Sequence, residues 1–195
     1  MSILIQNGLV VTSMGSYIAD VYVEEGKIKA LGTHLDYDAK TIIDARGKYV
    51  LPGAIDPHTH LAMPFMGTFA QDDYETGTIA ASCGGVTCVV DFDLQQKGES
   101  IFQAVERKKS WAKDKVVVDY SLHPAIMDPR PEVIDEIKAA IQEYGTPSFK
   151  IFMVYDFRVD DATMIKLLEE TKKYGGLVQV HAENVHIIDH LNEEF

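Results

Sequence analysis

The sequence predicts an α/β fold: a (β/α)8 TIM barrel of which about the first five βα units are present, preceded by a small β module. Three observations predict it. Residues 2 to 51 consist of short strand-like runs punctuated by Gly-containing turns. After Pro52-Gly53, apolar runs alternate with stretches of helical period, the pattern of βα units on a parallel sheet. One polar residue stands near the carboxyl end of each apolar run, namely His58, Asp91, Asp119, Lys150 and His181. Their intervals are close to the ~30 residues of one βα repeat.

Taken in order, the β module offers strands at Ile3 to Ile5, Leu9 to Thr12, Ala19 to Val23, Lys27 to Leu31, Thr41 to Asp44 and Lys48 to Leu51. Asn7-Gly8, Glu25-Gly26 and Arg46-Gly47 fall between runs, where residues tolerant of positive φ make tight turns. Beyond residue 53 the strands are Ala54 to His58, Val86 to Asp91, Val116 to Tyr120, Ser148 to Val154 and Leu177 to His181. Helices are expected at Asp73 to Ser82, Ile101 to Lys113, Pro131 to Tyr144, Ala162 to Tyr174 and Asn184 to Leu191. Gly84-Gly85 reads as a helix stop and not a phosphate cradle, and no dinucleotide fingerprint or P-loop follows a strand. Too few residues remain for eight strands, so the chain is expected to be the N-terminal portion of a barrel.

Composition excludes several classes. At 46% hydrophobic and 25% charged residues, with a mean hydropathy of -0.06, the chain is an ordinary globular one. No run approaches the ~18 apolar residues of a membrane span. A net charge of -12 and a pI near 4.9 disfavour nucleic acid. The N-terminus has no basic region or uninterrupted apolar segment of secretory type, which points to the cytoplasm. Cys83 and Cys88 read as reduced, buried thiols.

The chemistry sits in a few residues. His58 and His60 are two apart in an extended segment, so both rings share a face and can reach one metal ion while Thr59 points away. Imidazole suits zinc, iron and nickel alike. Lys150 lies within the apolar run Phe149 to Tyr155, where its pKa should fall. A neutral amine there can take up CO2 and become an anionic carbamate able to bridge two ions. His181 ends the run Leu177 to His181, one βα period later and at the same rim. His186 and His190 read as a solvated helix face, Asp91 and Asp119 as supporting or structural groups, and His123 as a residue able to line the rim.

With these residues in view, the sequence resembles the dihydropyrimidinase and hydantoinase branch of the urease-related amidohydrolases along its whole length. The motifs carrying the resemblance are Gly53-Ala54-Ile55-Asp56-Pro57-His58-Thr59-His60, Met63-Pro64-Phe65-Met66-Gly67-Thr68, Asp72-Asp73-Tyr74, Gly84-Gly85-Val86-Thr87, Ser148-Phe149-Lys150-Ile151-Phe152-Met153 and Val180-His181-Ala182-Glu183-Asn184. It implies that residues 1–52 are the N-terminal part of a β-sandwich domain and residues 53–195 an incomplete metal-dependent hydrolase barrel. It also implies two divalent metal ions, zinc foremost, with His58 and His60 on the more buried ion, His181 on the more exposed one and a carboxylated Lys150 bridging them. Tyr155 would bind substrate and donate to the developing oxyanion, while Met63 and Phe65 would belong to a substrate-binding loop. The implied activity is hydrolysis of dihydropyrimidines or 5-substituted hydantoins through a hydroxide bridging the metals, in a homotetramer.

Other readings compete on the same residues. Dihydroorotases carry an arginine two residues after the second His, where this chain has Ala62, and another cyclic amidohydrolase such as an allantoinase remains open. Non-catalytic scaffold relatives of this fold lose the metal ligands, which this chain retains. A deaminase on the same barrel generally uses one ion and needs no carbamate, so Lys150 argues against it.

Overall fold

The computed structural model describes residues 1–65 and 67–195, which form two compact units, Met1–Gly53 and Ala54–Phe195. In the first unit, β1 (Ser2–Thr12), β2 (Gly15–Glu24), β3 (Lys27–Gly32) and β4 (Thr41–Asp44) are ordered β3-β2-β1-β4, and β5 (Tyr49–Val50) also pairs with β1. The sequence reading of two strands separated by an Asn7-Gly8 turn is corrected: β1 is continuous and carries a register shift between Ile5 and Gly8. Asn7 does adopt φ +61°, but its N–H donates to Asp20 Oδ1 at 2.8 Å, so the positive φ bulges a strand instead of reversing it. Glycine follows because a Cβ at position 8 would lie 2.3 Å from Val50 Cγ2. Val10, Ala19 and Val21 form the buried core of this unit.

The second unit contains β6 (Ala54–Thr59), β7 (Pro64–Phe65), β8 (Thr68–Phe69), α1 (Tyr74–Cys83), β9 (Val86–Leu94), α2 (Ile101–Ala112), β10 (Asp119–Ala125), α3 (Pro131–Asp135), α4 (Ile137–Gln142), β11 (Ser148–Phe152), α5 (Asp161–Lys173), β12 (Leu177–His181) and α6 (Val185–Glu194). Its main sheet runs β12-β11-β10-β9-β6, with every neighbouring pair parallel. Strands adjacent in sequence are adjacent in space, as successive βα crossovers require.

Local chemistry starts the helices where the sequence suggests. The Asp73 carboxylate accepts from the N–H groups of Glu75 and Thr76, Ser100 and Gln103 form a capping box, and Asp160 and Asn184 cap α5 and α6. The single helix expected over Pro131 to Tyr144 is divided at Glu136, whose backbone stays right-handed while its carboxylate accepts the Ile101 N–H at 2.7 Å. Ile101, Val105, Leu122, Ile126, Val133, Ile137, Phe149, Ile151 and Leu167 are buried in one cluster. Cys83, expected inside, is exposed.

β10 starts later than its sequence suggests. The β-branched run Val116 to Val118 looks like its centre, yet the ladder with β9 begins at Asp119 opposite Cys88 and ends at Ala125 opposite Leu94. Val116 and Val118 instead pack beside Tyr74 and Ala112, and the Val117 N–H donates to Thr78 Oγ1 at 3.2 Å. Pro124 argues against a central strand, having no N–H for a ladder, but β10 meets β11 in register only at Ala125 and Lys150. Asp119 therefore stands at the amino end of its strand, and His123 comes near the carboxyl end in its place.

On β9, Asp93 is 1% exposed. Its Oδ1 meets Arg107 Nη2 at 3.4 Å, while Oδ2 has no partner among the described residues. Arg107 makes shorter bonds to Glu99, at 3.1 and 2.9 Å, and to the Leu94 carbonyl, at 2.9 Å. Burial consequently outweighs the guanidinium and pushes the Asp93 carboxyl up to about 6 from 3.8. Because the native state holds a proton that the unfolded chain releases, its contribution is complete below the unfolded value and is lost as pH rises through about 6. Asp93→Asn should remove this slope, so that its stability relative to wild type grows between about pH 4.5 and 7.5 by ~1–3 kcal/mol. Urea midpoints measured at both pH values check this, and a pH-independent difference would contradict it.

Candidate metal centre

Two aromatic rings organise the carboxyl end of the parallel sheet. Phe92 on β9 is 1% exposed and has His58, His60 and His123 around it, with ring centroids 4.5, 5.1 and 5.1 Å away. Phe152 on β11 has His181 at 5.7 Å and Tyr155 at 6.0 Å. Lys150 joins the two groups, its Nζ lying 5.6 Å from the Phe92 centroid and 5.3 Å from that of Phe152.

Alternation along β6 produces the first group. The rings of His58 and His60 meet edge-on at 5.1 Å, whereas Thr59 turns to the other side and donates to Asp91 Oδ1 at 3.4 Å. Partial desolvation, followed by the neighbouring His58, holds the His60 pKa below the usual imidazole value. A neutral imidazole is the form that ligates metal. His123 Nε2 lies 3.0 Å from the Pro57 carbonyl and Nδ1 lies 2.5 Å from Ser148 Oγ. A carbonyl can only accept, so Nε2 carries the proton and Nδ1 accepts from the serine hydroxyl. This arrangement braces the residue before His58. Burial is the main reason the His123 pKa is lowered.

Lys150 is 6% exposed, and burial lowers its pKa, with no carboxylate among the described residues offsetting the loss of water. The bland alternative, a lysine extending from the strand end into solvent, does not describe this side chain. His181 is opposite Phe152 in the β11–β12 ladder, lies 5.8 Å from the Tyr155 ring, and has its Nε2 against the Glu183 carboxylate. Among the described residues, no three His, Cys, Asp or Glu side chains converge closely enough to hold an ion by themselves.

Tyr155 has φ +73°, a left-handed backbone for a bulky side chain, and its carbonyl accepts from Arg158 Nη1 at 3.0 Å. Phe65, at 5.8 Å from Tyr155, lines with it an apolar cavity of about 530 Å³ whose wall also includes Pro64, Leu94, Met127, Asp156 and Phe157. Met63 is not in that wall, although its carbonyl anchors the same segment by accepting the Ala70 N–H at 2.8 Å. Met66, part of the same apolar motif, lies outside the described residues. A second cavity of about 540 Å³, lined by Met153, Arg158, Asp160, Glu183 and His186 among others, includes none of His58, His60, Lys150 and His181.

Sequence reasoning missed the residue that sits behind the histidine pair. Lys108 is 1% exposed and forms a 3.1 Å ion pair with the fully buried Asp91. The signal was present: Ile101, Ala104, Val105, Lys108 and Ala112 share the buried face of α2, so a lysine occupies an apolar stripe. Sequence reasoning also missed the β7–β8 hairpin, in which Phe65 pairs with Thr68.

Residues 49–194 match the model of the Amidohydrolase family, and the chain belongs to that family. Over its whole length it is 46% identical to the D-hydantoinase of Geobacillus stearothermophilus, and over 95% of its length it is 44% identical to the dihydropyrimidinase of Rattus norvegicus. Its structure superimposes on the crystal structure of dihydropyrimidinase from Brevibacillus agri with a TM-score of 0.94 at 43% identity, covering all of this chain and 42% of that one. The chain spans 42% of the Geobacillus relative and 37% of the rat relative. No helix among the described residues is long and apolar enough to cross a membrane.

Proposed function

We propose that the intact protein hydrolyses the cyclic amide bond of hydantoin or dihydropyrimidine rings at a centre of two divalent cations, zinc foremost. His58, His60 and His181 would be the imidazole ligands and a carboxylated Lys150 the bridge. In this reading the five parallel strands belong to an eight-stranded βα barrel over residues 53–195 and beyond, and residues 1–52 to a β-sandwich. The observation that carries the reading is the position of Lys150 Nζ, buried without a counter-charge between a group holding His58 and His60 and a group holding His181 and Tyr155. The names of the relatives supply the substrate class.

The donor chemistry fits such ions. Two imidazoles with a shared face need an anionic oxygen donor beside them, and Lys150 is the adjacent group able to become one. Its low-pKa amine has a nucleophilic lone pair: the nitrogen adds to CO2, an N–C bond forms, and the nitrogen releases a proton to solvent, leaving a carbamate. When bound, divalent cations supply Lewis acidity toward a ring carbonyl and a lowered pKa for water. Tyr155 would donate its hydroxyl proton in a hydrogen bond to the oxyanion that develops on that carbonyl. Phe65 and Phe157 would surround the ring substituent and exclude water from the cavity.

Zinc-loaded intact protein should open both dihydrouracil and a 5-substituted hydantoin, and a chelator should abolish turnover until zinc and bicarbonate are restored. Turnover that survives full metal removal would overturn the proposal.

A further inference from the structure

We propose that the buried Asp91–Lys108 pair positions the metal-binding histidines by clamping Leu61, the residue directly after His60. The inference rests on the metal-centre reading given above. Both backbone groups of Leu61 are held by this one ion pair: its N–H donates to Asp91 Oδ1 at 3.1 Å, and its carbonyl accepts from Lys108 Nζ at 2.6 Å. Asp91 Oδ1 also accepts from Thr59 Oγ1 at 3.4 Å, so the pair grips residues on both sides of His60.

The clamp is built from groups that leave no charge unmet. Asp91 Oδ2 accepts from Tyr74 Oη at 2.8 Å and meets Lys108 Nζ at 3.1 Å, while the ammonium sits 5.4 Å from the ring centroids of Tyr74 and Trp111. A buried pair so fully satisfied enforces one geometry more than it adds stability. It is also placed where the chain needs restraint. Ala62, next in sequence, has φ +49°, a left-handed backbone for a residue with a Cβ, and its N–H is tied to the Asp72 carbonyl at 2.8 Å. Without the clamp, the turn that lifts His60 to the rim of the sheet is free to relax, and the two rings lose their common aim.

Zinc affinity and thermal stability, measured side by side on the intact protein, separate positioning from plain structural support. Lys108→Met frees the Leu61 carbonyl, and zinc affinity, measured by competition with a chromophoric chelator, should weaken ~10- to 100-fold. Tyr74→Phe removes a donor from the same carboxylate without touching Leu61, so it should lower the melting temperature while changing zinc affinity less than ~3-fold. Because Lys108→Met alone leaves a buried carboxylate unpaired, the double variant Asp91→Asn with Lys108→Met, which removes both charges of the clamp, should show the same zinc defect in a folded protein. Wild-type zinc affinity in either Lys108 variant would overturn the positioning role, as would equal zinc loss in Tyr74→Phe. Wild-type protein that binds no zinc would instead remove the metal-centre reading, and this assignment with it.

Discussion

Replacing Lys150 with alanine should lower cyclic-amide turnover by the intact protein ~10³-fold or more, the scale of loss when a charge-stabilising group is removed from a reaction centre. The side chain is buried against Phe92 and Phe152, between the two histidine groups. Alanine can form no carbamate, so zinc content should fall together with activity. Truncation also opens a cavity, and for that reason Lys150→Met is the sharper variant. It conserves volume and removes an amine whose burial is uncompensated, so the metal-free fold should be at least as stable as wild type while turnover is still lost. Activity retained in a folded Lys150→Met protein would contradict the role given to this residue.

Tyr155→Phe should produce a different defect: full zinc content, a kcat reduced ~10²- to 10³-fold and a smaller change in KM. The substitution keeps the ring that faces Phe65, Phe157 and His181 and deletes only the hydroxyl. Substrate contacts made by the apolar cavity therefore survive, whereas the donor to the oxyanion does not. The left-handed backbone at residue 155 is unchanged by the swap, because Phe and Tyr share the same steric limits there. Zinc loss in this variant would show that Tyr155 supports the metals and not the transition state.

Features with a strong local cause were legible in the sequence. Two-residue alternation put His58 and His60 on one side of β6 and Thr59 on the other, and an apolar run around Lys150 announced a buried amine. The helix starts expected at Asp73 and Ile101 fall within one residue of those observed, Tyr74 and Ile101, where Asp73 and Ser100 supply the caps. What escaped depended on tertiary partners. Val116 and Val118 carry strand propensity but pack into a buried cluster with Tyr74, Val89 and Ala112, while Leu122 to Ala125 become strand despite Pro124 because β9 offers the ladder. Asn7-Gly8 has the chemistry of a turn and is used as a bulge, since Asp20 waits across the strand pair. Lys108 looks like one more charged residue in a basic stretch, and only its position on the buried stripe of α2 distinguishes it from Lys109 beside it. Its partner Asp91 was visible as a strand residue, but what the pair holds, the backbone of Leu61, appears only in three dimensions.

Non-denaturing mass spectrometry of the intact, zinc-loaded protein tests the role of Lys150 most directly. The bridging reading predicts two zinc ions per subunit and an adduct of ~44 Da, the mass of one CO2, mapped to Lys150 and lost on acidification. A fully active protein with metal bound and an unmodified Lys150 would contradict it.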